Sequence, residues 1–216
     1  MTSSHIPVPY VLAYSGEAVR QRLTFAPDPS CGELRLSHQD PRPRSDWHRG
    51  VLLARVRTNR RGQIMWRHLN RRRQWECMTK DLCQVCKGPA ADSRTGRLWW
   101  VITETGFRAS SDSGGLTNAP PTCRPCIPTS LQWCPQLQKS AAVYTVAAAE
   151  SAGVLADIYR PGPGGVPVFT GEHNAFVGWE EFSVLPFALA TQMVVRLHDM
   201  VLVEHGADVC PALVPS

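Results

Sequence analysis

The stretch Leu82-Cys83-Gln84-Val85-Cys86-Lys87-Gly88-Pro89 decides the fold of this 216-residue chain, together with Cys123-Arg124-Pro125-Cys126, which follows Cys86 after 36 intervening residues. Each CxxC motif can present two sulfurs to one ion from a tight turn, and Lys87-Gly88-Pro89 has the composition of such a turn. Four thiolates complete a tetrahedral shell. The spacing therefore predicts one structural zinc ion, bound by Cys83, Cys86, Cys123 and Cys126.

The same four thiolates could hold iron in a rubredoxin-like site, which we treat as the less favoured metal. A closed shell leaves no open position for water or substrate, so the metal is predicted to be structural. An HNH nuclease would need a histidine base in the module, but no histidine lies between His68 and His173. Zinc deamination is also disfavoured, because no His-x-Glu motif precedes the second cysteine pair.

The two cysteine motifs resemble those of a known group of proteins. The likeness comprises Leu82 to Ala90, Pro120 to Cys126 and Cys134-Pro135, and it extends toward Tyr159-Arg160-Pro161-Gly162. In these stretches the chain is similar to uncharacterised zinc-finger-like proteins of GC-rich bacteria and their mobile elements. The resemblance implies a metal site and carries no known activity.

The order of the segments predicts an α+β fold. It is a small mixed domain built around a four-cysteine module over residues 78–137, with a treble-clef-like arrangement favoured and a zinc ribbon as the competitor. The sequence shows no clean linker, so a single α+β domain over residues 1–216 is predicted.

Hydrophobic patterns predict the individual elements. Strands are expected over 8–14, 51–58, 97–104 and 201–203, and two more, with a helix as the alternative, within 141–159. Helices are expected over 63–80 and 187–200, and a short one up to Cys134. The segment 63–80 is predicted to be helical because it lacks Gly and Pro, and 187–200 because its apolar residues recur at spacings of three and four.

Charge is concentrated in one part of the chain. Residues 42–80 contain twelve basic and two acidic residues, a net +10, whereas the whole chain carries +5. Arginine forks pair with phosphates, so this segment predicts contact with nucleic acid, DNA or RNA, mainly through phosphates. Trp66 and Trp75 are interpreted as helix anchors, with base stacking as the alternative. The candidate nucleic-acid-binding residues are Arg55, Arg57, Arg60, Arg61, Arg67, Arg71, Arg72 and Arg73.

Other features concern location and partners. The start of the chain lacks the basic and apolar regions of an export signal, and no stretch approaches the roughly 20 apolar residues that span a membrane. We therefore expect a cytoplasmic protein without membrane contact, in which thiols stay reduced. The excess of arginine over lysine is typical of a GC-rich bacterial genome.

Two alternative functions remain open. In the first, zinc orders a surface for protein–protein interaction or regulation, and the arginines meet an acidic protein partner. In the second, the C-terminal half carries an enzymatic site, for which His173 and His198 are the candidate histidines. We identify no catalytic residue, because the titratable groups form no convincing catalytic set in the sequence; enzymatic activity is left uncertain, and a protein that is not an enzyme is favoured.

Overall fold

A computed structural model describes residues 7–103 and 115–205 of the chain. These residues form two compact units, between which the chain passes four times. Because each unit is assembled from separate pieces of the chain, no single linker marks a boundary in the sequence. The described parts of unit 1 are residues 7–13, 65–103, 115–151 and 195–205, and those of unit 2 are 14–64 and 152–194.

Strands predominate in the described residues, which also contain two α-helices. The helices are α1 (Arg71–Thr79) and α2 (Ile127–Trp133). The strands are β1 (Leu12–Tyr14), β2 (Leu23–Pro27), β3 (Leu34–His38), β4 (Trp47–His48), β5 (Val51–Leu53), β6 (Ile64–Leu69), β7 (Leu98–Ile102), β8 (Leu116–Thr117), β9 (Ala142–Val146), β10 (Ala148–Pro161), β11 (Pro167–Phe169), β12 (Ala175–Gly178), β13 (Ala188–His198) and β14 (Val201–His205).

Unit 1 is built on a three-stranded antiparallel sheet with the order β14-β9-β7. One face of this sheet packs against α2, where Val101 and Val143 contact Ile127 in a buried apolar cluster. Trp100 is fully buried, and its indole N–H donates to the carbonyl oxygen of Ala119 at 2.9 Å. The sheet therefore packs against the helix that follows the second cysteine pair.

Unit 2 contains the β2–β3 hairpin and a sheet in which the strand order is β11-β10-β13-β5-β4, with β12 also paired to β10. The pairing of β13 with β5 is parallel, and that of β4 with β5 is antiparallel. Leu36, Leu52 and Leu189 meet in its buried core. Hairpin and sheet thus share one apolar core.

Several predicted elements are confirmed. The strand expected over 97–104 is β7, although residue 104 lies outside the described residues. The strand expected over 201–203 is part of β14, the two expected within 141–159 are β9 and β10, and the short helix before Cys134 is α2. The strand β7 pairs with β9, and an isolated bridge between Ala91 and Leu98 joins it to the segment that follows the first cysteine motif.

The prediction of a continuous helix over 63–80 is wrong in its first half. Residues Ile64–Leu69 form β6, and only Arg71–Thr79 are helical. Asn70 marks the change, because its side-chain oxygen accepts a hydrogen bond from the backbone N–H of Arg73 and caps α1. The prediction looked only for Gly and Pro as signs of a helix boundary. Asparagine can also begin a helix, by capping it, and the sequence around Asn70 contains neither Gly nor Pro.

The prediction of a helix over 187–200 is wrong. These residues form β13, which has strand partners on both of its edges. Successive residues such as Leu189 and Ala190, or Val194 and Val195, are buried, so both faces of the strand are covered. A strand that is buried on both faces loses the two-residue alternation of a half-buried strand, and its apolar spacing then resembles that of a helix.

The strands predicted over 8–14 and 51–58 are shorter than expected, because other groups take their backbone hydrogen bonds. The N–H groups of Tyr10 and Val11 donate to carbonyl oxygens of the first cysteine motif, and β1 begins only at Leu12. Beyond β5, the side-chain amide of Gln21 binds both backbone groups of Arg55, at 2.8 and 3.0 Å. A side chain thus replaces the neighbouring strand there.

Candidate metal centre

The first cysteine pair lies in a tight turn that follows α1. The N–H of Cys83 donates to the Gly88 carbonyl at 2.7 Å, and the N–H of Lys87 donates to the Cys83 carbonyl at 2.9 Å. Lys87 has a φ of 65°, in the left-handed region that closes the turn. At Gly88, a Cβ atom would lie 3.3 Å from the Cys86 sulfur, so glycine leaves room for that sulfur.

The second cysteine pair lies at the start of α2. A 3-10 turn over Arg124–Cys126 carries the chain from Cys123 into the helix, and the N–H of Cys126 donates to the Cys123 carbonyl at 2.9 Å. Pro125 is compatible with this turn because it lies where a helix leaves its N–H groups unpaired. Both sulfurs are thereby presented from one short segment.

Gln84, between the cysteines of the first pair, joins the two motifs. Its backbone N–H donates to Pro121 O at 2.8 Å. Its side-chain nitrogen lies 2.9 Å from both Pro120 O and Thr122 Oγ1. Sequence reasoning missed this role, because an amide inside a CxxC motif gives no sign of its distant partners.

A second set of contacts attaches the first motif to α1 and to the N-terminal segment. Glu76 of α1 accepts a hydrogen bond from the Tyr10 hydroxyl at 2.6 Å and lies 3.2 Å from Lys87 Nζ. The hydrogen bond from Tyr10 and the nearby Lys87 lower the pKa of Glu76, so this carboxylate is charged at neutral pH. The first cysteine turn is therefore attached to the second motif through Gln84 and to α1 through Glu76.

These contacts bring together the four predicted ligands. The sulfurs of Cys83, Cys86, Cys123 and Cys126 all lie within 4.8 Å of one another, and those of Cys86 and Cys123 are 3.7 Å apart. A tetrahedral ion with bonds of about 2.3 Å to sulfur requires sulfur–sulfur distances of about 3.8 Å. The four cysteines are thus positioned to bind a metal ion.

Two backbone N–H groups point at sulfur atoms, as expected around thiolate ligands. Val85 N lies 3.4 Å from the Cys83 sulfur, and Gly88 N lies 3.4 Å from the Cys86 sulfur. Burial acts to raise the pKa of Cys86, but the Gly88 N–H and the neighbouring thiols outweigh it, and the pKa is lowered. Burial raises the pKa of Cys123 to about 11. A cation would favour the thiolate form of all four residues, because ligation couples to deprotonation.

Two further cysteines near the motifs in sequence lie outside the sulfur cluster. Cys77 is fully buried, and its sulfur lies 3.8 Å from the Cys83 carbonyl oxygen. Burial raises the pKa of Cys77 to about 12, which keeps it a neutral thiol. Cys134 follows α2 at its C-terminal end. Within residues 7–103 and 115–205, neither sulfur belongs to the cluster of four that could bind one metal ion.

We expect the variants Cys77→Ala and Cys134→Ala to retain the metal content of the unmodified protein, because neither thiol contributes to the cluster. Cys77→Ala should also lose about 1 kcal/mol of unfolding free energy, since it removes a buried sulfur. Metal content per chain, measured by elemental mass spectrometry, checks this. Loss of stoichiometric metal in either variant would place that cysteine among the ligands.

The eight candidate arginines have different surroundings. Arg55 is held by two carboxylates, with Nη2 2.7 Å from Asp46 Oδ2 and Nη1 2.7 Å from Asp40 Oδ1. Arg71 and Arg73 are 8% and 3% exposed. These three arginines are therefore either buried or paired with a carboxylate. The exposed candidates are Arg57, Arg60 and Arg61 in unit 2 and Arg67 and Arg72 in unit 1.

The two tryptophans of the basic segment also differ. Trp75 is buried on α1, with the Arg71 guanidinium 5.8 Å from its ring centroid, and it anchors the helix as expected. Trp66 on β6 is 53% exposed, so its interpretation as an anchor is wrong. It is flanked on β6 by the exposed residues Met65, Arg67 and His68.

The two histidines of the C-terminal half each contact a carboxylate. His173 Nδ1 lies 2.5 Å from Asp157 Oδ1 in unit 2, and His198 Nε2 lies 3.3 Å from Glu150 Oε2 in unit 1. Both imidazoles are exposed at the surface. Each pair thus joins one exposed imidazole to one carboxylate.

Comparison with known proteins found no matching family model, curated protein or solved structure. The likeness of the cysteine motifs to zinc-finger-like proteins of GC-rich bacteria therefore stays a prediction. In the described ranges, no helix is long and apolar enough to cross a membrane. The candidate site thus rests on the geometry of this chain alone.

Proposed function

We propose that this protein binds nucleic acid, with a structural zinc ion that holds its binding surface in place. The carrying observation is β6, where four successive side chains, Met65, Trp66, Arg67 and His68, are exposed. The exposed Trp66 offers a stacking platform for a base, and the exposed Arg67, the next residue along the strand, offers a cation for a phosphate from the opposite face. Arg72, the second residue of α1, adds a second exposed cation in the same unit.

The preference for zinc rests on ligand chemistry. Four thiolates suit zinc or iron, and a closed tetrahedral set is typical of structural zinc. A tight turn carrying Cys83 and Cys86 and a second pair at the start of a helix support a treble-clef-like arrangement over a zinc ribbon, although the strand between the pairs, β7, has its partner β9 beyond the helix. The metal would order the turn that follows α1. That turn contacts α1 through Lys87 and Glu76, and its backbone accepts hydrogen bonds from Tyr10 and Val11 just before β1, the strand that pairs with β6.

The alternation of side chains along β6 favours single-stranded ligands. Residues two apart on a strand lie on the same face, so Trp66 and His68 share one face and Arg67 points to the other. Two rings on one face can stack on neighbouring bases, whereas paired bases are covered by their own stacking. We therefore infer tighter binding to single-stranded DNA or RNA than to duplex DNA.

Fluorescence anisotropy with a labelled mixed-sequence oligonucleotide, across a salt series, tests the proposal. Trp66→Ala should weaken binding by about 1–3 kcal/mol, because stacking on one base is lost. Arg67→Ala combined with Arg72→Ala should reduce the slope of log affinity against log salt by about 1.4, because each lost phosphate contact on a single strand contributes about 0.7.

Matched controls separate these contacts from general charge. Phe182→Ala removes another exposed aromatic, and Arg94→Ala combined with Lys139→Ala removes the same net charge elsewhere. Both should bind like the unmodified protein. Absence of binding even at low salt would exclude the proposed function. Polyglutamate serves as a model of an acidic protein partner. If the protein binds polyglutamate but not nucleic acid, and if Trp66→Ala and the Arg67 and Arg72 double variant weaken that binding, the acidic protein partner is favoured instead.

A further inference from the structure

Unit 2 contains a cavity of about 530 Å³ that none of the preceding functions uses. This volume lies in the range of small-molecule sites, about 300–1,000 Å³. None of its eight lining residues is acidic, and two of them are arginines, Arg20 and Arg22. The cavity therefore carries two positive charges and no compensating carboxylate among its lining residues.

The two arginines are available to a ligand. Among the described residues, neither Arg20 nor Arg22 forms an ion pair, whereas Arg35 and Arg55 of the same unit bind aspartates at 2.6 and 2.7 Å. Arginine is the side chain best suited to a phosphate, because its planar fork donates two parallel hydrogen bonds. Two such forks at one cavity match a phosphate dianion.

The backbone that carries these arginines is held in place. Arg22 O accepts a hydrogen bond from the N–H of Gln39 at 2.8 Å, next to the first pair of the β2–β3 hairpin. The side chain of Gln21, between the arginines, is bound to the backbone of Arg55. The backbone on which Arg22 lies is thus fixed before a ligand arrives, which lowers the entropy cost of binding.

The remaining walls suit the organic part of a ligand. Tyr159 lines the cavity, and the centroid of its ring lies 5.6 Å from that of Phe169, so the two rings are in contact. Val166, an apolar residue that is 62% exposed, and Pro167 complete an apolar wall. Burial raises the pKa of Tyr159, which keeps its hydroxyl a hydrogen-bond donor at neutral pH. Gln39 adds an amide that can donate and accept.

We propose that this cavity binds a small organic phosphate of mononucleotide size, with its phosphate on Arg20 and Arg22 and its planar ring against Tyr159, Val166 and Pro167. The apolar wall distinguishes such a ligand from free phosphate, which would leave that wall uncovered. The proposal is independent of the metal centre and of the β6 surface, because every lining residue belongs to unit 2.

Isothermal titration calorimetry with AMP, GMP, CMP and UMP tests the site, with adenosine and inorganic phosphate as partial probes. We expect at least one nucleotide to bind more tightly than either partial probe. Arg20→Ala combined with Arg22→Ala should weaken that binding at least about tenfold, because two charge-assisted hydrogen-bond donors are lost. Arg20→Lys combined with Arg22→Lys should have an intermediate affinity, since the charge remains without the fork.

The matched control is Arg42→Ala combined with Arg44→Ala, which removes the same charge at the same spacing outside the cavity. It should bind the nucleotide like the unmodified protein, and circular dichroism should show that all three variants are folded. The proposal is overturned if none of the four nucleotides binds at millimolar concentration. It is also overturned if the Arg20 and Arg22 alanine variant binds as tightly as the control.

Discussion

Cys83→Ser is expected to abolish stoichiometric metal binding and to unfold the part of unit 1 that surrounds the cysteines. The Cys83 sulfur is fully buried, it belongs to the four-sulfur cluster, and the N–H of Val85 points at it. A structural zinc site contributes about 10–16 kcal/mol of apparent binding free energy in small zinc-dependent peptides. We therefore expect a loss of about 5 kcal/mol or more, comparable to the total stability of many domains.

Elemental mass spectrometry and thermal unfolding check this result. The unmodified protein should contain one zinc ion per chain, and a chelator should lower its unfolding temperature in the same way as the substitution. Cys31→Ser is the matched control, because Cys31 is exposed in unit 2 and takes no part in the cluster. Full metal content and an unchanged unfolding temperature in Cys83→Ser would exclude the site, and stoichiometric iron would exclude zinc.

Arg55→Ala is expected to destabilise unit 2 by about 3–5 kcal/mol without weakening nucleic-acid binding by the folded protein. Arg55 donates to both carboxylate oxygens of Asp46, at 3.2 and 2.7 Å, and Asp46 is only 4% exposed. Burial acts to raise the pKa of Asp46, but the hydrogen bonds from Arg55 and from the Arg42 N–H lower it. Removing Arg55 leaves a buried charge without its main partner, which is the costly way to break such a pair.

Urea unfolding measures the loss of stability, and anisotropy titration below the unfolding transition measures binding. Arg44→Ala is the control, since Arg44 is an exposed arginine of the same segment. Arg55→Lys should recover part of the stability, because a lysine keeps the charge but cannot donate both hydrogen bonds. A stable Arg55→Ala protein that binds nucleic acid more weakly would return Arg55 to the proposed interface.

The extent to which the fold was predictable differed between elements. The strand β7 was recognised because bulky aromatic and β-branched residues lie between two turns, and α2 because Pro125 and Pro128 limit where a helix can begin. The strand β13 was mistaken for a helix, because burial on both faces removes the alternation that distinguishes a strand. The start of α1 was missed because it depends on one side-chain hydrogen bond of Asn70.

The candidate site was predictable where the chemistry is local. Four cysteines in two CxxC motifs indicate a metal site by their spacing, because each turn is short enough to set the distance between its own two sulfurs. Gln84, which joins the two turns, gave no such sign, since its partners lie 36 to 38 residues away. The cavity of unit 2 was likewise invisible, because its walls come from segments far apart in the chain.

The sequence by itself determined that the chain carries four paired cysteines suited to one metal ion and that basic residues are concentrated between 42 and 80. The tertiary structure decided what those charges can do. Burial and ion pairing withdraw Arg55, Arg71 and Arg73 from the surface and leave Arg67 beside an exposed Trp66. The reason is physical: ligand spacing within a turn is set by neighbouring covalent bonds, whereas the exposure of a side chain depends on packing against residues that are distant in the chain.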